Sequence, residues 1–100
     1  MNVKIEKTDG KTIVKIEGRL DTITAPEFDR ETANITLPGE TGDIELDCTD
    51  MEYISSAGLR SFISLLKKAK PAGRELKVTN LSQPIRQIFD MTGFTTLFKL

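Results

Sequence analysis

Residues 2–7, NVKIEK, place Val3 and Ile5 on one face and charged side chains on the other. That period of two predicts a strand. Asp9-Gly10 is the preferred dipeptide of a two-residue hairpin turn. Residues 11–17, KTIVKIE, return with Val14 and Ile16 on the apolar face, so the chain opens with an antiparallel hairpin. Residues 43–48, DIELDC, alternate strictly, with Ile44, Leu46 and Cys48 against Asp43, Glu45 and Asp47. A strand buried on both faces reads instead as a continuous apolar run. One sheet face is therefore expected to carry helices and the other to be wet. Residues 75–79, ELKVT, predict a short strand with Leu76 and Val78 inward, and 96–100, TLFKL, a last one.

Between the strands the apolar period lengthens. Phe28, Thr32 and Ile35 are spaced i, i+4, i+7, and a helix is predicted from Thr24 to just before Pro38-Gly39. Thr24 and Glu27 have the spacing of a capping box, and Ile23 and Phe28 that of a hydrophobic staple. Pro26 in the first turn removes an N–H that has no partner there. A second helix is predicted from about Ser56 to Lys70, with Leu59, Phe62, Ile63, Leu66 and Ala69 as its apolar stripe; residues 49–54 before it read as a loop. Lys67, Lys68 and Lys70 crowd its last turn, where they complement the macrodipole or form a basic docking patch. Ser82 and Pro84 open a third helix, with Ile85, Ile88 and Phe89 inward and Gly93 as its stop. The order β-β-α-β-α-β-α-β implies right-handed crossovers and a mixed, mostly parallel sheet with helices mainly on one face.

The length of 100 residues is that of one domain, 1–100, large enough to bury a core without disulfides or metals. With 14 basic and 15 acidic residues, the charge is nearly balanced. A sequence pI near 5.4 disfavours nucleic acid as a partner. No apolar run reaches the roughly 18 residues of a membrane span. MNVKIEKTDG lacks the apolar stretch of a signal peptide, and a cytoplasmic location is expected. One cysteine and no histidine exclude an internal disulfide, His-based zinc sites and Ser–His or Cys–His nucleophile pairs. Cys48 reads as a small core residue. With no P-loop either, no enzyme, metal or cofactor is expected.

The stretch YISSAGLR, 53–60, draws attention because it puts two hydroxyls and a glycine at a helix mouth. One serine suffices as a cap, and glycine in a first turn weakens a helix. Free N–H groups there favour an anion, and Gly58 would leave backbone uncovered for close approach by another chain. The segments 18–23 and 49–55 are expected to meet at the same sheet edge.

Three segments, GRLDTITAPEF, MEYISSAGLR and IRQIFDMTGF, resemble in order the motifs of the STAS domain, and more narrowly of the bacterial anti-sigma factor antagonists. The resemblance spans Val3 to Leu100. It implies a phosphorylation-controlled, partner-switching protein in transcription regulation. Unphosphorylated, such a protein binds a serine-kinase anti-sigma factor or a related switch kinase. Phosphorylated at the position of Ser56, it is released, and a PP2C-type phosphatase reverses the modification. Ser55 stands where well-studied members carry aspartate, which makes it a second candidate acceptor; Ala57 replaces a Ser or Thr. The implied partner surface comprises Asp21, Thr22, Ile54, Ser55, Ala57, Gly58, Leu59 and Arg60. Plain readings stand beside these: N-capping for the serines, a solvated turn acid for Asp21, a solvent-facing helix residue for Arg60. The free protein is expected to be a monomer that neither binds nucleic acid nor inserts into a membrane. A non-switching STAS subunit docked to a transporter or another complex is the alternative.

Overall fold

A computed structural model describes residues 1–8 and 10–100. The strands are β1 (Asn2–Thr8), β2 (Lys11–Leu20), β3 (Asp43–Asp47), β4 (Met51–Ile54) and β5 (Leu76–Thr79). The helices are α1 (Ala25–Thr32), α2 (Ser56–Ala69), α3 (Gln83–Met91) and α4 (Phe94–Leu97), with short 3-10 extensions at Ala33–Thr36 and Lys70–Ala72. β1 and β2 form the expected antiparallel hairpin, from Asn2 opposite Glu17 to Thr8 opposite Lys11. Asp9 at its tip lies outside the described residues. β3 pairs parallel with β2, and β5 parallel with β3.

Two stretches depart from the pattern reading. Residues 51–54 are a strand, not a loop. Lys15 faces Asp47, Gly18 faces Met51 and Arg19 faces Tyr53, so β4 continues the line of β3 along β2 across an irregular break. Four residues are too few for periodicity to reveal, and the pairing is non-local. Residues 96–100 form no strand: Phe94–Leu97 is a helical turn, and Leu100 N–H donates to Thr95 O. The apolar alternation there serves to seat Phe98 in the core.

Val14, Ile16, Ile44, Leu46, Cys48, Leu76 and Val78 are buried on one sheet face. The opposite face is polar, as strict alternation predicts. Lys11 pairs with Glu45 and Lys15 with Glu6 across it; Thr79 Oγ1 donates to Glu45 and Asn80 Nδ2 to Asp47. The helices cover the apolar face through an aromatic cluster. Phe62 of α2 lies 5.7 Å from Phe28 of α1, and 6.3 Å from both Phe89 of α3 and Phe98. Phe28, Thr32 and Ile35 are all buried, as their spacing requires. On α2, Leu65 joins the buried stripe while Ile63 is only partly covered. On α3, Ile85 and Phe89 are buried and Ile88 is partly covered. Gly93, at φ +78°, ends that helix as expected, whereas Ser82 begins it without a side-chain capping bond. Arg74, which no pattern singled out, is buried and donates to the carbonyls of Gly42, Ile35 and Thr41, clamping the 36–42 loop.

Gly58 is buried inside α2, and its role is internal. A Cβ there would lie 2.8 Å from Leu20 O, 2.8 Å from Ile54 Cγ1 and 2.9 Å from Leu20 Cγ. The glycine admits the end of β2, rather than leaving backbone open to another chain. Gly58→Ala gains up to about 1 kcal/mol of helix propensity but overpacks the site by about 1–3 kcal/mol. The carbonyl cannot retreat, because Ser55 N–H holds it at 2.9 Å. A net fall of about 1–2 kcal/mol, or roughly 5–15 °C in Tm, is expected. A Tm equal to or above that of the parent would show that the close approach is not tight.

The wet face contributes to the pH response. Hydrogen bonds from Lys11 and Thr79 hold Glu45 below the usual carboxylate range. Burial pushes Asp47 upward, but bonds from Asn80 and Thr49 outweigh it and the net shift is downward. Glu45 in turn raises Lys11. Carboxylates with depressed folded values stabilise fully above their unfolded values near 4 and lose that contribution as pH falls through the folded ones; the raised lysine contributes below about 10.4 and loses its part above. Tm should therefore form a plateau between about pH 5 and 8 and fall on both sides. The basic flank also carries Cys48, whose buried thiol is pushed up to about 12 and so costs stability once the unfolded thiol ionises above about 8.5. Glu45→Gln should flatten part of the acid flank and leave most of the basic one. An unchanged acid flank would show that the Lys11–Glu45 pair does not govern it.

Candidate functional site

The loop leaving β2 and the start of α2 meet at one sheet edge, as the sequence led us to expect. Leu20 O accepts the Ser55 N–H at 2.9 Å. Leu20 and Ile54 are fully buried beneath this contact. β4 delivers the chain to Ser55 in extended conformation, and the helix then begins immediately.

The two serines divide the work of the helix mouth. Ser55 is the N-cap: its backbone is extended and its Oγ accepts the Gly58 N–H at 3.4 Å, a long and weak bond. Its carbonyl accepts the Leu59 N–H at 2.9 Å. Ser56 is the first helical residue and is exposed. Its hydroxyl makes no hydrogen bond among the described residues. It stands at the positive end of a 14-residue helix with no acidic residue in its first turn, so the local field favours an anion there.

The neighbouring loop is tied down by Asp21. Asp21 Oδ1 accepts the N–H groups of Ile23 at 3.0 Å and Thr24 at 3.1 Å. These bonds, the Thr24 backbone bond first, hold its carboxyl below the usual range against the opposing effect of burial. Thr24 Oγ1 accepts the Asp21 N–H and donates to Arg19 O. The predicted Thr24–Glu27 capping box is therefore absent: Thr24 is helical in φ/ψ and makes no capping bond. Asp21, three residues earlier, does that work. The predicted staple is absent too. Ile23 is 86% exposed while Phe28 is fully buried, because the Asp21 turn points Ile23 outward.

Of the remaining residues singled out by sequence, Thr22 and Arg60 are exposed and Ala57 is partly so. They line a shallow groove between α1 and α2. Ile54, Gly58 and Leu59 are buried, so they shape this surface from beneath and do not themselves face outward. Sequence reading missed Ile23 as a surface residue. It also missed Arg19, whose guanidinium lies 4.5 Å above the Tyr53 ring and 3.7 Å from Asp21. An isoleucine flanked by threonines in a polar turn was the available signal for the first. Cys48 is buried, and burial pushes its thiol up to about 12, leaving it an unreactive core residue. Among the described residues no cluster of three metal-ligating side chains occurs, and no helix is long and apolar enough to cross a membrane.

With this geometry in place, the chain can be set beside known proteins. The sequence model of the STAS domain matches residues 2–100. The anti-sigma-B factor antagonist of Bacillus subtilis is 30% identical over 100 residues, covering 100% of this chain and 90% of that protein. The anti-sigma-B factor antagonist of Staphylococcus aureus is 33% identical over 99 residues, covering 97% of this chain and 91% of that one. The structure of the Bacillus cell fate determinant SpoIIAA in its phosphorylated form superimposes with a TM-score of 0.73 at 15% identity, over 95% of this chain and 86% of that one, a likeness of fold. Near-full-length matches in sequence, carried by a sheet, helix order and glycine-bearing helix start of the expected kind, place this chain in the STAS domain family, among the bacterial anti-sigma factor antagonists.

Proposed function

We propose that this protein is a phosphorylation-controlled switch that binds a serine-kinase anti-sigma factor when unmodified and is released when Ser56 is phosphorylated. The observation that carries the reading is the division of labour between the serines. Ser55 is spent on capping, whereas Ser56 is exposed, uncommitted and set at a helix N-terminus. A solved fold neighbour exists in a phosphorylated form, and two relatives of similar length are anti-sigma-B factor antagonists. The partner-facing surface comprises Asp21, Thr22, Ile23, Ser55, Ala57 and Arg60, with Ile54, Gly58 and Leu59 holding it in shape. A PP2C-type phosphatase resets the switch.

The acceptor assignment is checked by intact-mass and peptide mass spectrometry after incubation with ATP and the candidate serine kinases of the same genome. Ser56→Ala should abolish the adduct. Ser55→Ala should keep most of it and lower stability by about 0.5 kcal/mol, the low end for a lost cap, given the long bond. Loss of the adduct from the Ser55 variant alone would move the acceptor by one residue. No adduct with any kinase would remove the switch.

Phosphorylation acts here through local charge. It adds about −1.5 to −2 charge at a helix terminus that favours it by about 0.3–1 kcal/mol. Tm should therefore hold or rise slightly. A docked partner must instead desolvate the dianion, at a cost of several kcal/mol. If about 2–3 kcal/mol of this remains after relaxation, affinity falls roughly 30- to 150-fold. Ile23→Ala should weaken the unmodified complex by about 1–2 kcal/mol, the scale of an apolar side chain buried on docking, with Tm unchanged. Calorimetric titration and thermal melts on the same samples decide the matter. A large fall in Tm on phosphorylation would mean that the helix start unfolds. Unchanged affinity would mean that Ser56 does not control binding.

A further inference from the structure

β5 lies at the end of the strand order and pairs on one side only, with β3. Ile44 N–H donates to Glu75 O and Cys48 N–H to Thr79 O. In a strand, successive residues turn their backbone groups to opposite edges, so the N–H and C=O of Leu76 and Val78 face the other, unpaired edge. Along that edge runs a groove of about 370 Å³. Its helix-side wall is apolar, formed by Leu66, Leu97 and Phe98, and Leu97 is 39% exposed. Lys70, Lys77 and Lys99 also line it. All three are exposed, and none forms an ion pair among the described residues. Arg74 has committed its guanidinium to carbonyls. Glu75 is the acidic side chain of the lining, so the groove is basic although the chain as a whole carries a formal net charge of −1.

We infer that the open edge of β5 is a second docking site, separate from the serine surface, that takes an extended acidic–apolar segment of a partner polypeptide as an added strand. Each part of the groove contributes to this choice. The unpaired backbone groups of Leu76 and Val78 fit a strand, the mode known as β-augmentation. Leu76 and Val78 point to the helix side and Lys77 to the wet side. An added strand would therefore present apolar side chains to Leu97 and Phe98 and acidic ones to Lys77, alternating with period two. Lysines on an edge strand also block pairing with like chains. A second copy of this chain would bring Lys77 against its own equivalent, which disfavours self-association through β5. None of the groove residues belongs to the serine site, so the inference stands or falls independently of the switch.

The probe is a capped peptide of about six residues, the usual length of a strand, alternating glutamate and valine, with a lysine–valine peptide of the same length as control. Binding is read by amide hydrogen exchange and two-dimensional NMR of the full chain. Slowed exchange at Leu76 and Val78 is expected with the acidic peptide only, with affinity falling as salt rises. The variant Lys70→Glu/Lys77→Glu/Lys99→Glu should weaken binding at least about tenfold, as charge reversal across an interface does. Lys77→Glu alone serves as a less drastic second variant. Absence of protection at about millimolar peptide overturns the inference. So does equal binding of the lysine–valine peptide, or a concentration-dependent dimer of the free chain paired through β5 in sedimentation.

Discussion

The site rests on one contact, the seating of Leu20 against Gly58. The Leu20 carbonyl accepts the Ser55 N–H and lies where any β-carbon at position 58 would have to go. A single backbone group thus fixes the end of β2, the start of α2 and the distance between them. Asp21 follows Leu20 directly, and Ser56 follows Ser55. The backbone bond from Ser55 to Leu20 therefore ties the two segments that carry Asp21 and Ser56. Beneath the contact lie Ile54 and Leu59, both buried, so the surface residues stand on the core. A dense interior of this kind resists gradual deformation, and the backbone that carries the exposed side chains is held by it.

The sheet keeps its two faces chemically distinct. The aromatic cluster around Phe62 joins three helices to the apolar face, and edge-to-face and tilted ring contacts add to the area buried. The other face is a lattice of partly exposed ion pairs and hydrogen bonds, worth little singly but favourable together to a polar surface. Arg74 stands between these regimes. It is buried and carries its charge, and it is compensated by loop carbonyls rather than by a carboxylate. That arrangement satisfies the guanidinium and orders the 36–42 loop in one step.

The proposed switch calls for a surface that takes on charge without changing shape. A helix N-terminus accommodates an anion better than most positions in a fold, and the capping bond of Ser55 does not involve the Ser56 hydroxyl. Asp21 spends its acceptors on its own turn, which holds Ile23 out in solvent against the usual preference of isoleucine for the core. The exposed Ile23 side chain and the exposed Ser56 hydroxyl are the two surface features on which the proposed switch rests.

The sequence by itself determined the elements whose pattern is long enough to have a period: the opening hairpin, the alternating β3 strand, and the helices bearing Phe28, Phe62 and Phe89. It also determined the wet face, because strict alternation at Ile44, Leu46 and Cys48 admits one buried side only. The three motifs carried the family. Tertiary structure alone decided the rest, and in each case the reason is a competition that sequence does not display. β4 is four residues long and exists because β2 runs on past Gly18 to pair with it. Residues 94–97 became helical because Phe98 could then reach the aromatic cluster. Thr24 lost its capping role to Asp21, since the Thr24 hydroxyl oxygen accepts the Asp21 N–H in place of a helix N–H. In the sequence the two adjacent serines differ only by the resemblance, which puts Ser56 first and Ser55 second. Only the folded backbone, by turning one hydroxyl onto the Gly58 N–H, left the other free.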